Sequence, residues 1–262
     1  MSRYERWNAL LNLLAEGGTI TVDRAAKELR VSAATIRRDF DELAHQQLLI
    51  RIRGGVAANT VSYDLPLRYK SVRHPSEKQR IGLVAAGMVH PGATVGLNGG
   101  TTTTEVARAL ATRVDRRGLS DGSALVTVVT NALNIANELV VRPHVKIVVT
   151  GGVARPQSYE LIGPLATPLL EDVTLDFAIL GVDGLDPGAG ASAHHEGEAS
   201  INRLMVARAQ HVVVVADSSK LGVQAFARIC RIEEVGTLVT DSGAPDRLLS
   251  SFAEKGVQVR AV

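Results

Sequence analysis

Short apolar runs alternate with helical stretches through residues 76–262, and this rhythm restricts the folds open to the chain. The apolar runs are Thr94–Leu97, Leu125–Thr130, Val145–Thr150, Phe177–Gly181, Val212–Ala216, Thr237–Thr240 and, more weakly, Gln258–Ala261. The stretches with helical periodicity are Glu77–Val89, Glu105–Arg113, Ala132–Val140, Leu165–Glu171, Glu198–Ala209 and Pro245–Lys255. Strand-length apolar runs separated by amphipathic helices are typical of a parallel sheet covered on both faces. The pattern therefore predicts a large α/β domain.

The N-terminal part of the chain has a different pattern, in which a short helix presents a basic face. Ser32 is a favourable N-cap, because its hydroxyl can accept an amide hydrogen of the following turn. Beyond it Ile36, Phe40 and Leu43 recur at helical spacing and predict one buried stripe. The side chains that lie off this stripe include Thr35, Arg37 and Arg38. Arginines can pair with phosphates or reach guanine edges, and a threonine can contact a phosphate or a thymine methyl.

A basic ribbon follows this helix. Leu48–Ile52 and Val56-Ala57 flank Gly54-Gly55, which predicts two strands with a tight tip. Arg51 and Arg53 on the ribbon would reach the DNA backbone or the minor groove, and Gly54 permits a sharp turn and a close approach. A capped basic helix followed by such a ribbon predicts a winged helix-turn-helix that binds double-stranded DNA.

The charge is distributed unevenly along the chain. The net charge is only +2, but residues 1–80 carry 14 Lys and Arg against 9 Asp and Glu, while residues 81–262 carry 15 against 18. This asymmetry favours contact between the front of the molecule and a polyanion, although ordinary surface variation would also produce it. Periodicity is lost between the two parts, so we predict a DNA-binding domain at 1–58, a linker at 59–75 and a second domain at 76–262.

Composition excludes several classes of protein. Cys230 is the only cysteine, so no disulfide forms within the chain. The start of the sequence lacks the apolar core of a signal peptide, and no apolar run approaches the length of a membrane span. We therefore expect a cytoplasmic protein without a membrane partner. Aromatic residues are 3% of the chain, which argues against a stacking platform for single-stranded nucleic acid.

Polar and glycine-rich turns follow the predicted strands of the second domain. They contain the candidate ligand-binding residues Asn98, Gly100, Thr101, Thr102, Thr103, Asn131, Gly151, Gly152, Asp183, Gly184 and Lys220. Ligands of open α/β sheets bind at the carboxyl ends of the strands, so these turns predict one site. Free amides at a helix start favour a phosphate, Lys220 would supply a cation, and Asp183 and Asn98 could accept hydrogen bonds from sugar hydroxyls. Asp217, in the same turn as Lys220, is equally well explained as a helix N-cap.

The glycine-threonine loop at 96–105 differs from the common nucleotide loops. No lysine follows it as in a P-loop, and it lacks the G-x-G-x-x-G pattern of dinucleotide sites. We therefore predict no nucleotide cofactor.

Two sets of motifs resemble one family. The stretch V-S-A-A-T-I-R-R-D-F-D-E-L with R-I-R-G-G-V-A closely resembles the N-terminal domain of DeoR-family bacterial transcription regulators. The stretches L-N-G-G-T-T-T, V-V-T-N-A-L, V-T-G-G, I-L-G-V-D-G-L-D, E-A-S-I-N-R-L-M and A-D-S-S-K-L-G resemble the family's C-terminal sensor domain. The resemblance runs from about Arg6 to Asp241.

The resemblance carries expectations about fold and function. It implies a winged helix-turn-helix joined to a larger Rossmann-like, isomerase-related parallel-sheet sensor domain. Members are typically repressors of carbohydrate or nucleoside genes, and their sensors usually bind phosphorylated sugars. By resemblance, Ser32, Thr35, Arg37 and Arg38 belong to the recognition helix and Arg53-Gly54 to the wing. We expect a homo-oligomer, dimer or tetramer, that binds operator DNA under the control of a phosphorylated sugar.

The sequence departs from the family pattern at a few positions. Phe40 stands where leucine is usual, Asn98 stands where aspartate is common, and Ser192-Ala193-His194-His195 replaces a stretch that usually resembles Thr-Pro. The paired histidines raise the question of a metal, but no further cluster with ligand spacing supports one beyond Glu196 and Glu198. We predict no metal site.

Two other functions remain as alternatives. Asp183-Gly184-Leu185-Asp186 resembles part of the acidic motif of ribose-5-phosphate isomerases, which would favour an enzyme. Those enzymes follow the motif with glutamate, whereas Pro187 stands here, and no counterpart to their glycine-rich lysine segment is present. We therefore expect no enzyme and no catalytic residues. A structural DNA-binding protein with a purely dimerising C-terminal domain is the other alternative, and it leaves the polar turns at one sheet edge unexplained.

Overall fold

A computed structural model describes residues 3–45, 48–58, 67, 74–117 and 125–262. The chain divides into two compact units, residues 1–73 and 74–262. Most of the predicted linker at 59–75 lies outside the described residues, so its boundaries stay a prediction.

Within residues 3–45, the first unit contains the helices α1 (Arg3–Gly17), α2 (Val22–Leu29) and α3 (Ala33–His45). The Thr21 side chain caps α2 by accepting a hydrogen bond from the Arg24 amide at 3.2 Å. The helix ends where Arg30 adopts a left-handed conformation, with φ at 54°. This sharp reversal starts the turn into α3, so α2 and α3 form the predicted helix-turn-helix.

The described part of the first unit also contains a three-stranded sheet of β1 (Thr19–Thr21), β2 (Leu49–Ile52) and β3 (Gly55–Ala58), in the order β1-β3-β2. The expected two-stranded ribbon is present, but β1 pairs with β3 and adds a third strand. Three residues are too short to show an alternating pattern, so this strand was missed. A Cβ at Gly55 would overlap the carbonyl oxygen of Ile20, which explains why glycine stands at the crossing of β3 and β1.

The helices of the second unit are α4 (Pro75–Met88), α5 (Thr101–Arg117), α6 (Leu133–Leu139), α7 (Thr167–Asp172), α8 (Glu196–Arg208) and α9 (Asp246–Glu254). Its strands are β4 (Thr94–Leu97), β5 (Val126–Thr130), β6 (Val145–Val149), β7 (Val153–Ala154), β8 (Leu161–Ile162), β9 (Leu175–Gly181), β10 (Gly184–Asp186), β11 (Gly190–Ala193), β12 (Ala209–Val215), β13 (Ala227–Cys230), β14 (Thr237–Thr240) and β15 (Gln258–Ala261).

Seven of these strands form one sheet in the order β15-β14-β12-β9-β4-β5-β6, and every neighbouring pair is parallel. The predicted parallel α/β sheet is confirmed. The chain enters the sheet at β4, adds β5 and β6 on one side, and then returns to add β9, β12, β14 and β15 on the other. The carboxyl ends of β4 and β9 therefore flank the point where the winding reverses, which is where open α/β sheets bind ligands.

The sheet is covered by helices on both faces. Successive residues of β9 show this, because Ile179 belongs to the core that contains Ile81 and Leu110, whereas Leu180 belongs to the core that contains Phe252. All five side chains are no more than 2% exposed. Burial on both faces explains why the strands are continuous apolar runs rather than alternating ones.

Four features of the second unit differ from the sequence-based expectation. The sequence analysis missed a hairpin of β7 and β8 and a small antiparallel sheet in the order β10-β11-β13. Their strands are too short to show an alternating pattern in the sequence. Helix α5 begins at Thr101 rather than Glu105, so the threonine run forms its first turn. The helix expected at Leu165–Glu171 begins instead as a 3-10 turn at Pro164–Ala166 and continues as α7.

Within the part of the chain that the structure describes, no helix combines the length and apolar character needed to cross a membrane.

Candidate functional site

Helix α3 presents the predicted basic face to solvent. Ile36 and Phe40 are 0% exposed and hold the helix on the core of its unit, while Arg37 and Arg38 are exposed. Ser32 caps the helix as predicted, since its Oγ accepts a hydrogen bond from the Thr35 amide at 3.1 Å. The two hydroxyls of Ser32 and Thr35 also lie 2.9 Å apart, at the exposed start of the helix.

The ribbon formed by residues 49–58 carries the remaining candidates for DNA contact. Arg51, Arg53 and Gly54 are exposed, and Gly54 forms the tip with φ at +81°. The Arg51 guanidinium lies 3.3 Å from Asp41 and 5.8 Å from the centroid of the Phe40 ring. Arg51 therefore also links the ribbon to α3, which sequence reasoning did not anticipate.

A buried ion pair fixes α3 on α1, and the sequence analysis missed it. Asp39 is 4% exposed and accepts hydrogen bonds from Arg6 at 2.5 and 3.0 Å and from the Trp7 indole at 2.8 Å. The carboxylate of Asp39 raises the pKa of Arg6, in the direction expected for a paired guanidinium. Asp39 follows Arg38 directly in sequence, so the pair sets the rotation of the helix that carries both arginines.

The candidate ligand residues of the second unit follow five consecutive strands of the sheet, β12, β9, β4, β5 and β6. Lys220 follows β12, Asp183 and Gly184 follow β9, the loop of Asn98 follows β4, Asn131 follows β5, and Gly151-Gly152 follows β6. Parallel strands end at one edge of a sheet and lie about 4.8 Å apart, so the turns lie side by side along that edge. The structure thus places all five predicted turns at the same edge of the sheet.

Asn98 has a different role from the one expected. Its Nδ2 donates to the Gly181 carbonyl and its Oδ1 accepts from the Gly181 amide, both at 2.9 Å. The side chain is 2% exposed. Because both polar atoms join the ends of β4 and β9, Asn98 holds these two strand ends together, a structural role that the sequence analysis did not anticipate.

The first turn of α5 contains Gly100 and three threonines. The Gly100 carbonyl accepts hydrogen bonds from the hydroxyls of Thr103 at 3.1 Å and Thr104 at 2.6 Å, and from the Thr104 amide. Thr102 and Thr103 are buried, while Gly100 and Thr101 are half-buried. The Thr104 amide makes the first intrahelical bond, so the amides of 101–103 are those that a helix start offers to an anion.

Asn131, Gly151 and Gly152 lie further along the same edge. Asn131 is 0% exposed, and its Nδ2 donates to the Leu161 carbonyl at 3.3 Å. Gly151 and Gly152 have φ values of +79° and +119°, in the region that favours glycine. A Cβ at Gly152 would come within 2.8 Å of the Ile162 carbonyl oxygen, so this turn packs against β8.

The turns after β9 and β12 are held by acidic side chains. Asp183 Oδ2 accepts a hydrogen bond from the His194 amide at 2.9 Å. Asp217 caps the short turn Ser218–Lys220 by accepting from the Ser219 amide at 3.2 Å, so the N-cap interpretation describes Asp217. Lys220 is half-buried in that turn. A Cβ at Gly184 would overlap the Val223 carbonyl oxygen, which gives this glycine a packing role.

Three charged residues at this edge were missed by the sequence analysis: Arg155, Glu160 and Glu198. Arg155 donates to Glu198 Oε1 at 3.1 Å. Glu160 is 2% exposed, and its pKa is raised by burial and by the negative charges of Glu198 and Asp183. Arg155 and Glu160 lie on the hairpin that was not anticipated. Glu198 lies in the E-A-S-I-N-R-L-M motif, and its position at the start of a predicted helix is a signal that could have identified it.

One of the paired histidines has a structural role. His195 caps α8, since its Nδ1 accepts from the Gly197 amide at 3.1 Å. Among residues 3–45, 48–58, 67, 74–117 and 125–262, no group of three or more His, Cys, Asp and Glu side chains is placed to hold a metal ion.

Comparison with known protein families identifies both units. The DeoR-like helix-turn-helix domain matches residues 6–61, and the DeoR C-terminal sensor domain matches residues 73–242.

Individual relatives match over nearly the whole chain. The glycerol-3-phosphate regulon repressor of Escherichia coli K12 is 30% identical, over 99% of both chains. A putative aga operon transcriptional repressor of Escherichia coli O157:H7 is 31% identical, over 97% of this chain and 92% of its own.

Among solved structures, ribose 5-phosphate isomerase A of Methanocaldococcus jannaschii aligns with a TM-score of 0.40 and 19% identity, over 55% of this chain and 53% of its own. The fold of the second unit therefore rests on its own strand order and register. The family models cover both units, and the chain belongs to the DeoR family of transcriptional regulators.

Proposed function

We propose that this protein is a DNA-binding repressor of carbohydrate or related metabolic genes, and that a phosphorylated sugar bound to its second unit controls it. The observation that carries the DNA-binding part is the exposed pair Arg37 and Arg38 on a helix that is capped by Ser32 and anchored by Asp39. Relatives over nearly the whole chain are named repressors, which supports the same sign of regulation.

The DNA contact divides between the helix and the ribbon. Helix α3 enters the major groove, where Arg38 and Arg37 reach bases or phosphates and Thr35 and Ser32 contact the backbone near the helix start. Arg53 and the Gly54 tip lie along the adjacent backbone, and Arg51 exchanges Asp41 for a phosphate. A homo-oligomer, dimer or tetramer, places two such helices on successive half-sites of an operator. The protein acts in the cytoplasm, where it meets that DNA.

The effector lies at the carboxyl edge of the large sheet. Its phosphate binds the amides at the start of α5, and Lys220 supplies a positive charge from the turn after β12. Asp183 and Gly151-Gly152 border the sugar hydroxyls, and Asn98 keeps the two central strand ends in register. Binding shifts the population between arrangements that do and do not bind the operator.

We propose no catalytic activity. Catalysis on a sugar phosphate needs a carboxylate beside the substrate carbon, and Asp183 instead accepts a hydrogen bond from the His194 amide. Pro187 also stands where the isomerase motif has its glutamate.

A gel shift on the DNA upstream of the protein's own gene tests both parts. We expect a specific complex that a member of a panel of sugar phosphates dissolves. A complex that no sugar phosphate in the panel alters would contradict the proposed control by a phosphorylated sugar. Binding without any DNA sequence preference would contradict the proposed role as a transcription regulator. An isomerase assay on the same preparation should show no turnover; turnover that Asp183→Asn abolishes would restore the enzyme alternative.

A further inference from the structure

A buried carboxyl lies against the loop that precedes α5. Glu160 is 2% exposed, and its side chain packs on Gly99 so closely that a Cβ at that glycine would come within 2.5 Å of Glu160 Oε1. The Gly99 backbone N–H donates a hydrogen bond to this carboxyl. The loop that leads directly into the α5 amides assigned to the effector's phosphate therefore already faces an acidic side chain of the protein.

The groups around Glu160 disfavour its negative charge. Burial is the main cause of its raised pKa, and Glu198 on α8 and Asp183 after β9 add repulsion. The Asn131 side chain and the Gly99 amide act in the opposite direction. Arg155, the cation of the same cluster, is hydrogen-bonded to Glu198 at 3.1 Å, which partly offsets the charge of that neighbour. An additional anion at the loop would add a further negative charge beside the same carboxyl.

An unpartnered acceptor beside Glu160 independently indicates a ligand. Asn131 is 0% exposed, and its Nδ2 lies 3.4 Å from Glu160 Oε2. Its Oδ1 is buried and has no hydrogen-bond partner among the described residues. Buried acceptors are rarely left unpaired, so a bound molecule with a donor group, such as a hydroxyl, would complete this site.

We propose that Glu160 couples effector binding to a proton, so that the anion and one proton are bound together. This inference rests on the proposed function, because it takes the start of α5, next to Gly99, as the anion site. An ionised carboxylate and a phosphate would repel each other across the Gly99 amide, and a neutral carboxyl removes that repulsion. The proton comes from solvent and stays on Glu160 or is shared with the bound anion, and no covalent bond changes.

The coupling makes Glu160 a determinant of effector affinity. A ligand binds more weakly as the pH rises when its complex with the protein holds more protons than the free protein and free ligand together. The site therefore binds an anionic effector more tightly at lower pH. This pH dependence of the affinity disappears when the Glu160 carboxyl is replaced by an amide of the same shape.

Sulfate is a suitable probe, because it is a tetrahedral dianion that does not titrate near neutral pH. Calorimetric titration of the full-length protein in two buffers of different ionisation enthalpy measures the protons taken up. We expect uptake approaching one proton per sulfate, and an affinity that falls by about tenfold per pH unit where Glu160 is ionised.

The variant Glu160→Gln should bind sulfate without proton uptake and with an affinity independent of pH. Glu196→Gln is the matched control, because Glu196 is exposed on the first turn of α8 and should retain the wild-type behaviour. The wild-type proton count does not depend on any variant, so it tests the proposal even if Glu160→Gln folds poorly.

The possible failures are distinguishable. Sulfate binding with the same proton uptake in Glu160→Gln would assign the proton to another group, such as His194, and would overturn the coupling alone. Binding without proton uptake in the wild type would do the same. If neither sulfate nor any sugar phosphate binds at any pH, both the effector site and the coupling are wrong.

Discussion

Arg6 and Asp39 lie 33 residues apart in sequence and form a largely buried ion pair, with the Arg6 Nε 2.5 Å from the Asp39 Oδ2. The pair joins α1 to the helix that carries Arg37 and Arg38. This pairing explains why Asp39, which directly follows Arg38, contributes to folding rather than to DNA contact.

Asp39→Ala should destabilise the first unit by about 3 kcal/mol, because it leaves the Arg6 guanidinium without its partner in a largely buried position. Thermal unfolding followed by the fluorescence of Trp7, the only tryptophan, reports on this unit. Asp41→Ala is the control, because the Asp41 side chain is 66% exposed and its pair with Arg51 should contribute little. Equal effects of the two substitutions would contradict this role for Asp39.

Arg38→Ala should weaken specific operator binding by about 1–3 kcal/mol if the guanidinium reads a base. The loss should be larger for the operator than for unrelated DNA, which competition gel shifts measure. Arg247→Ala, an exposed arginine on α9, is the control for general charge loss. Operator affinity that is unchanged in Arg38→Ala would remove Arg38 from the contact set.

Lys220→Ala should leave operator affinity near normal and weaken the effect of the effector on operator binding. The substitution removes a cation from the proposed effector site while leaving the first unit intact. Gel shifts at increasing sugar phosphate concentration measure the response. Lys255→Ala, an exposed lysine just beyond α9, should behave as the wild type. A normal response in Lys220→Ala would place Lys220 outside the effector site.

Glu160→Gln should raise the melting temperature at pH 7.5 and have little effect near pH 4. Burial, followed by the charges of Glu198 and Asp183, raises the pKa of Glu160 in the folded protein. Its contribution to stability is therefore fully present below the unfolded pKa of about 4.3 and is lost as the pH rises through the folded pKa.

Calorimetry without ligand at both pH values tests this sign. Glu196→Gln should show no such difference between the two pH values. A melting temperature that falls in Glu160→Gln at pH 7.5 would mean that the ionised carboxylate stabilises the fold.

Cys230 should react very slowly with thiol reagents in the native protein. Burial raises the pKa of its thiol to about 11, with a further contribution from Glu234. Only about a thousandth of the thiol is then ionised at pH 8, and the side chain is also inaccessible. Ellman's reagent should detect about one thiol after unfolding, as the single cysteine requires. Rapid native labelling would contradict the buried position of Cys230 on β13.

Much of the fold could be predicted because it depends on local patterns. The runs Thr94–Leu97, Thr237–Thr240 and Gln258–Ala261 coincide with strands, since each is an apolar or alternating segment of strand length with helices around it. The Ser32 cap could also be predicted, because the Ser32 hydroxyl and the Thr35 amide that donates to it lie three residues apart.

The hairpin of β7 and β8 shows where that reasoning stops. Its strands have two residues each, and their pairing of Val153 with Ile162 leaves no period that a sequence window can detect. Glu160 lies on this hairpin, so the sequence analysis did not place it at the sheet edge that carries the candidate ligand residues. Asn98 was found, but its partner Gly181 lies 83 residues away, so its structural role could not be inferred from spacing.

The two-part organisation, the parallel α/β class and the basic face of α3 could all be predicted from the sequence, because hydrophobic periodicity, capping and charge act over a few residues. The polar groups that remain for a ligand at the sheet edge are known only once the chain has folded. They depend on contacts between segments distant in sequence, such as Asn98 with Gly181 and Glu160 with Gly99, which form only when the strands are assembled.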